Sequence, residues 1–294
     1  MGGLGCHLLA ENPSNMNLSQ QHFFTSFLFF ITTLLLTPIA HAESPTIKTS
    51  NGNELGISVS SYSYEEPSLG MSNKGDKFGV NHLGAKTLNG EWFIKDDVRF
   101  AYGSVDYVGS GYQPSTPDWY LDARGLIGLD IQGGNAMYSP FIGIGYRYLF
   151  NDLRGYSSSG AIGYRRESNY LYVPIGLTHR FKLDESAVLA TTLEFDHLLS
   201  GRQVTHLSDL IGHSGYSSAP DVTNGQDSGF GLRADMMYEM DDWAFGPFLN
   251  IWRIKESDAI LKPITKNGST AWYFFSEPEN RTSEFGLRLK FMFR

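Results

Sequence analysis

Cysteine is nearly absent. Cys6 is the only one in 294 residues, and it precedes the first hydrophobic run. A chain cleaved after that run has no thiol, so it can form no disulfide and offers no thiolate metal ligand. Long apolar runs are missing after residue 42, which excludes a spanning helix from the remainder. Basic charge is scarce: the formal net charge is −8, which argues against nucleic acid as a partner. No G-x-S-x-G elbow and no H-E-x-x-H pair occurs, so two common hydrolase signatures are excluded.

The one long apolar run is residues 23–39, FFTSFLFFITTLLLTPI, followed by Ala40-His41-Ala42. An apolar stretch ending in an A-x-A site reads as a secretory signal peptide over residues 1–42, cleaved at Ala40 and Ala42. No Lys or Arg precedes the run. Met16 is an alternative start and supplies no positive charge either. A membrane anchor helix is the weaker reading, because the run is short and the cleavage site is well placed. Cys6 has no apolar segment ahead of it and is not a lipidation site. Glu11 is the only charged residue in the first 42, so cleavage leaves the acidic balance almost unchanged. Residues 43–53 form a short lead-in.

Beyond the lead-in the chain alternates between apolar and polar residues. It ends SEFGLRLKFMF before Arg294, with Phe285, Leu287, Leu289, Phe291 and Phe293 at odd positions and Gly286, Arg288 and Lys290 between them. Period two is a β-strand with one dry face and one wet face. Its length suits a tilted strand crossing a bilayer. The pattern resembles the C-terminal strand of Gram-negative outer-membrane β-barrel proteins. In that resemblance Gly286, Leu289, Phe291 and Phe293 form the membrane-insertion signal read by the barrel assembly machinery. Arg294 departs from it, since such chains end on the aromatic.

Similar stretches recur from residue 54 onward. Residues 54–62, 92–102, 119–131, 138–148, 170–181, 188–199, 229–238 and 243–252 alternate; residues 78–88 do so weakly, and their faces stay unassigned. Asp96 breaks the third strand, where a β-bulge is one remedy. SGFGLRADMMY from Ser228 echoes the terminal strand without a gap. Short separators at Asn89-Gly90, Gly133-Gly134-Asn135, Asp184-Glu185 and Asp241-Asp242 carry the residues that tight turns need. Long polar separators alternate with them. Short periplasmic turns and long outer loops are the signature of a transmembrane barrel. Trp92, Tyr238, Trp243 and Phe293 beside the short turns, and Tyr102, Trp119, Tyr146, Tyr148, Tyr170 and Tyr172 beside the long loops, read as two aromatic girdles. A soluble sandwich or lipocalin-like barrel also alternates, but it would not charge the opposite face so consistently. The expectation is an all-β antiparallel transmembrane barrel over residues 54–294, with ten strands (eight or twelve as alternatives), in the outer membrane.

The inward face collects Lys95, Asp97, Arg99, Asp122, Arg124, Arg147, Arg180, Glu194, Asp196, Arg233, Asp235, Arg288 and Lys290, with Asp130 as a further acid. A narrow lumen holding such charges must pair them. Plugging is favoured over an ion-selective pore, with Glu194 near Arg233 and Arg99 near Asp122. His197, His206 and His213 match no metal-site spacing, and no cofactor is implied. A ten-stranded barrel invites comparison with the omptin proteases, whose activity uses an Asp-x-Asp and an Asp-x-His pair at the outer rim. Here Asp96-Asp97 and Asp196-His197 are adjacent, so each pair splits across the strand and the catalytic set does not carry over. The long separators, such as SYSYEEPSLG from Ser61 and GYSSSGAIGYRRESNY from Gly155, are rich in Tyr, Ser and Gly, a composition suited to binding. The expected function is a non-enzymatic surface protein that contacts membrane lipid and, through its loops, an external ligand. A narrow solute pore is second and a barrel-embedded hydrolase third.

Overall fold

The computed structural model describes residues 47–293. The signal segment with Met16, Ala40 and Ala42 lies outside the described residues, as does Arg294. Ten long strands form the wall: β1 Gly52–Glu66, β2 Met71–Thr87, β3 Trp92–Val108, β4 Tyr112–Leu129, β5 Ala136–Tyr156, β6 Ile162–Lys182, β7 Ala187–Thr205, β8 Gly229–Met240, β9 Trp243–Ile254 and β10 Asn280–Phe293. Each pairs antiparallel with its sequence neighbour, and β10 returns to pair with β1 from Asn53↔Phe293 to Glu65↔Arg281. Closure removes both sheet edges.

The pleat is inside-out. On β10, Phe285, Leu287, Phe291 and Phe293 are exposed, while Gly286, Arg288 and Met292 are buried. A side chain at Gly286 would strike the Val59 carbonyl and the Phe248 ring, so that position stays bare. β8 repeats the arrangement, with Leu232 exposed and Arg233 buried. β2, whose faces alternation leaves open, turns Phe78 out and Lys77 and Asn81 in. An apolar belt of this extent on an outer wall, broken at Asp96 and His197, is a lipid-facing surface. Trp243 stacks on Phe245 at 5.6 Å beside the short turns, and Trp119 lies 5.1 Å from Tyr148 nearer the other end.

Several expectations are corrected. β3 and β4 keep register through Asp96↔Gly125, so no bulge occurs there. Asp96 stays on the outer face near the turn end, 3.2 Å from His82, where a charge is cheaper than at mid-bilayer. Most of the Tyr/Ser/Gly-rich separators are strand. β1 and β2 are joined by residues 67–70, β3 and β4 by 109–111, and β5 and β6 by 157–161. β5 and β6 each run 21 residues, about twice what a tilted spanning strand needs. The wall therefore continues beyond the belt at the loop end, lined inside by Tyr62, Tyr64, Met71 and Val105. Tyr170 and Tyr172 are not girdle residues. Both are buried in the lumen, because they share parity with the inward Thr178.

One irregularity shapes the interior. Leu171 opposes Ser200 while Tyr172 opposes Leu198, so Leu199 is an extra residue on β7. Before it, Glu194, Asp196 and Leu198 face inward; after it, Gly201 and Gln203 do. The bulge flips the parity of β7.

Candidate functional site

The lumen is filled in layers. At the turn end, the lead-in crosses the opening: the Thr49 backbone N–H donates to Asp130 at 2.7 Å, and its hydroxyl donates to the same carboxylate at 3.1 Å. Lys290 pairs with Glu54 at 3.0 Å, Arg180 lies 3.9 Å from Glu239, and Lys95 sits 4.4 Å over the Phe93 ring. A cavity of about 40 Å³ lies among Lys48, Glu54, Lys95, Arg180 and Phe293.

Across the middle runs a network of ion pairs. Asp97 on β3 accepts from Arg99 at 2.8 Å and from Arg124 of β4 at 2.7 Å. Arg124 also reaches across to Glu194 of β7. Arg233 of β8 lies 3.3 Å from Glu194, 2.7 Å from Asp196 and 2.8 Å from Asp122. Arg147 ends the chain on Asp122 at 3.3 Å while its guanidinium lies 4.4 Å from the Tyr120 ring centre. Chemically this is a set of buried charges, each with opposite charge beside it. Such sets are costly to break, because removing one member leaves a buried charge uncompensated. The expected Arg99–Asp122 pair is not made. The two oppose each other in register, but Arg99 turns along its own strand to Asp97, and Asp122 is taken by Arg147 and Arg233. Arg288 is buried against the Phe248 ring at 4.4 Å, with Asp97 and Asp235 as nearby negative charge.

Alternation alone did not single out several partners. Tyr172 donates to Asp122 at 2.6 Å. Glu284 accepts from Ser60, Tyr120 and Asn250 at 2.7, 2.9 and 3.2 Å. Lys77 is buried on Asp118. Glu284 shares parity with Gly286 and Arg288, which was the available signal. The aromatic layer above is Tyr120, Tyr170, Tyr172 and Trp252, all buried.

At the loop end, Arg166 bridges two buried carboxylates, Glu66 at 2.6 Å and Glu277, and the Tyr64 hydroxyl donates to Glu66 at 2.9 Å. Burial pushes the Glu277 carboxyl up to about 7 against the pull of Arg166. A cavity of about 20 Å³ lies below, lined by Tyr62, Tyr64, Asn73, Asn151 and Arg166, which is room for a water molecule or so. On the outside of this rim His206 sits between Glu167 at 2.8 Å and Asp221 at 2.9 Å. Burial alone would lower its pKa, but the hydrogen bonds to both carboxylates outweigh that and raise it.

Among the described residues no three His, Cys, Asp or Glu side chains converge to hold a metal. His197 is exposed on the outer face of β7 opposite Phe230, and His213 hydrogen-bonds the Tyr156 hydroxyl at 3.1 Å. The pairs compared with a protease split as their spacing requires: Asp97 and Asp196 enter the lumen, and Asp96 and His197 leave it.

No family model matches the chain. No curated protein matches it either. Among solved structures it is similar to the outer membrane protease OmpT from Escherichia coli, with a TM-score of 0.55 and 12% identity over 84% of this chain and 100% of that one. It is also similar to the translocator domain of the autotransporter NalP from Neisseria meningitidis (TM-score 0.38, 10% identity, 94% and 96% covered). A further likeness is to the COG4313 outer membrane channel from Pseudomonas putida F1 (TM-score 0.37, 12% identity, 88% and 100% covered). At 12% identity the OmpT likeness is one of fold alone. The closed ladder, the lipid-facing belt and the OmpT likeness make this chain a ten-stranded antiparallel transmembrane β-barrel of the outer-membrane type.

Proposed function

We propose that the chain is a non-enzymatic surface protein of the outer membrane, exported by its signal segment, whose barrel is a plugged pedestal and whose loop end meets an external partner. The observation that carries the reading is the network joining β3, β4, β5, β7 and β8 across the lumen through Arg124, Glu194, Arg233, Asp122 and Arg147. Buried charges tied to several walls support a filled lumen, because removing one would strand its partners. The wall beyond the belt then serves to lift the loop end away from the lipid.

A narrow pore is the second reading, favoured by a cavity at each end of the network. The test is single-channel conductance of the intact barrel in a planar bilayer. The expected record is flat. A steady, ion-selective open current would place the pore first. Hydrolysis is the third reading. The rim carboxylates Glu66 and Glu277 are buried and committed to Arg166, which supports structure over chemistry at that point.

A further inference from the structure

The link between β9 and β10 folds into a hairpin of two short strands, Ile260–Lys266 and Ser269–Phe275. Its register pairs Leu261 with Phe274 and Pro263 with Trp272 on one face, and Ile260 with Phe275 and Ile264 with Ala271 on the other. The second face is packed at Ile260, Ile264 and Phe275, while Ala271 and Tyr273 on the outer strand stay exposed. Ile264 is buried with Leu207, Leu210, Ala219 and Val222, and Ile260 and Phe275 lean on the same cluster. The first face is bare: Leu261, Trp272 and Phe274 are 45%, 63% and 76% exposed.

The hairpin is held firmly at its base. The Asn224 amide donates to the carbonyls of Asp258 and Phe275 at 3.1 Å each, and Ser257 and Glu277 exchange bonds of 2.9 and 2.8 Å. Its inner strand touches the short strand Tyr216–Ser218, but the far edge of Ser269–Phe275 has no ladder partner among the described residues. Protected edges carry charge, proline or a bulge. This one reads STAWYFF and carries none of them. Residues 259–276 hold Lys262 and Lys266 and no acid, with Lys266 4.5 Å over the Tyr216 ring and with Glu256, Asp258, Glu277 and Glu279 at the base of the link.

We infer that the Ser269–Phe275 edge is a docking site for an extended acidic polypeptide segment, which adds to the sheet as a further strand. The open row of N–H and C=O groups specifies a backbone in extended conformation. The bare face takes apolar side chains at alternate positions, and the lysines draw a segment that carries carboxylates. The inference rests on the surface-protein reading and names the chemistry of its partner.

The test uses the full barrel in lipid nanodiscs and a labelled synthetic peptide, Val-Asp-Val-Thr-Val-Asp-Val with blocked ends. Binding is followed by anisotropy, and protection of residues 269–275 by amide hydrogen exchange. Two control peptides accompany it, one N-methylated at alternate amides along one edge and one with Lys in place of Asp. The inference requires that the parent peptide protect residues 269–275 and that both controls bind at least about tenfold more weakly, the scale of a lost strand edge. It also requires a similar loss with W272S and F274S, whose exposed positions leave folding intact. Equal binding of the N-methylated peptide overturns strand addition. Concentration-dependent protection without peptide overturns it in favour of a second copy of this chain. Protection by an anionic oligosaccharide but not by the peptide overturns it in favour of a glycan. Failure of the peptide with a flat conductance record removes only this inference, whereas an open current removes the surface-protein reading beneath it.

Discussion

Arg233 and Glu194 stand opposite each other in the register of β8 and β7, yet the Arg233 guanidinium lies closer to Asp196, at 2.7 Å, than to Glu194, at 3.3 Å. With Asp122 at 2.8 Å, one fork serves three carboxylates on two other strands. R233M leaves these three acids short of charge in a buried space. It should destabilise the barrel by about 3–5 kcal/mol. R233K should restore only part, because an ammonium cannot reproduce the planar fork. Equilibrium unfolding in detergent, read by loss of heat-modifiable migration, measures both.

Removing the acids tests the plug. E194Q with D122N withdraws two of the anchors that hold Arg124, Arg147 and Arg233 in place. The double variant should be less stable than the parent and should flicker open in the bilayer where the parent is silent. A double variant as stable and as silent as the parent would show that the network does not close the lumen.

The two faces of a strand should answer oppositely to the same change. Leu232 is exposed on the belt, and Arg233 next to it is buried. L232R sets a charge at mid-bilayer and should cost about 2–4 kcal/mol. Leu287, at the matching position of β10 and likewise exposed, should respond the same way. Folding of either variant into lipid vesicles at parental stability would contradict the outward assignment.

Deletion of residues 291–294 removes Phe291 and Phe293. These oppose Leu55 and Asn53 on β1, and Phe291 also opposes Trp243 on β9. The barrel loses the lower part of its seam together with the proposed assembly signal. Fractionation should find the deleted chain outside the outer membrane or degraded. An undiminished heat-modifiable band in that membrane would be the contrary result.

The clasp at His206 predicts a pH response at the loop end. Its pKa is raised in the folded chain by Glu167 and Asp221. Its contribution is therefore fully present below the ordinary imidazole pKa of about 6.5 and is lost as pH rises through the raised value. Hydrogen-exchange protection factors around residues 205–209, corrected for the base-catalysed intrinsic rate, should fall on going from acidic to mildly alkaline buffer. H206Q should flatten that dependence while leaving the belt unchanged.

The wall was legible in the sequence because lipid outside and pairing inside impose period two on every strand. Phe285 to Phe293 shows this most plainly, and the short turns at Asn89-Gly90 and Asp241-Asp242 set the count of strands. Above the belt the rule changes. No lipid selects apolar outward residues there, so Ser61, Ser63 and Glu65 face out while Tyr62 and Tyr64 face in, and the stretch looks like loop although it is strand. Tyr170 and Tyr172 were misplaced because an aromatic near a strand end suits either a girdle or a lumen, and only parity decides. The ion pairs were legible as a set and, for Glu194 with Arg233, as partners, but not for Arg99 with Asp122. Register brings Arg99 opposite Asp122, but long side chains choose among several neighbours in a narrow space, as Arg99 does in turning to Asp97.

The seam between β1 and β10 has a kinetic consequence. It joins Asn53 to Phe293 and Ser60 to Glu284, residues from opposite ends of the described chain. Every other wall ladder links neighbours in sequence, across a turn or, for β7–β8 and β9–β10, a longer link, whereas this one must wait for both termini to meet. Loop-closure entropy falls there on a single step, so the seam is the slowest contact to form and the longest-lived gap in the growing sheet. Until it closes, β1 and β10 are the two open edges at which the unfinished barrel can pair with another protein.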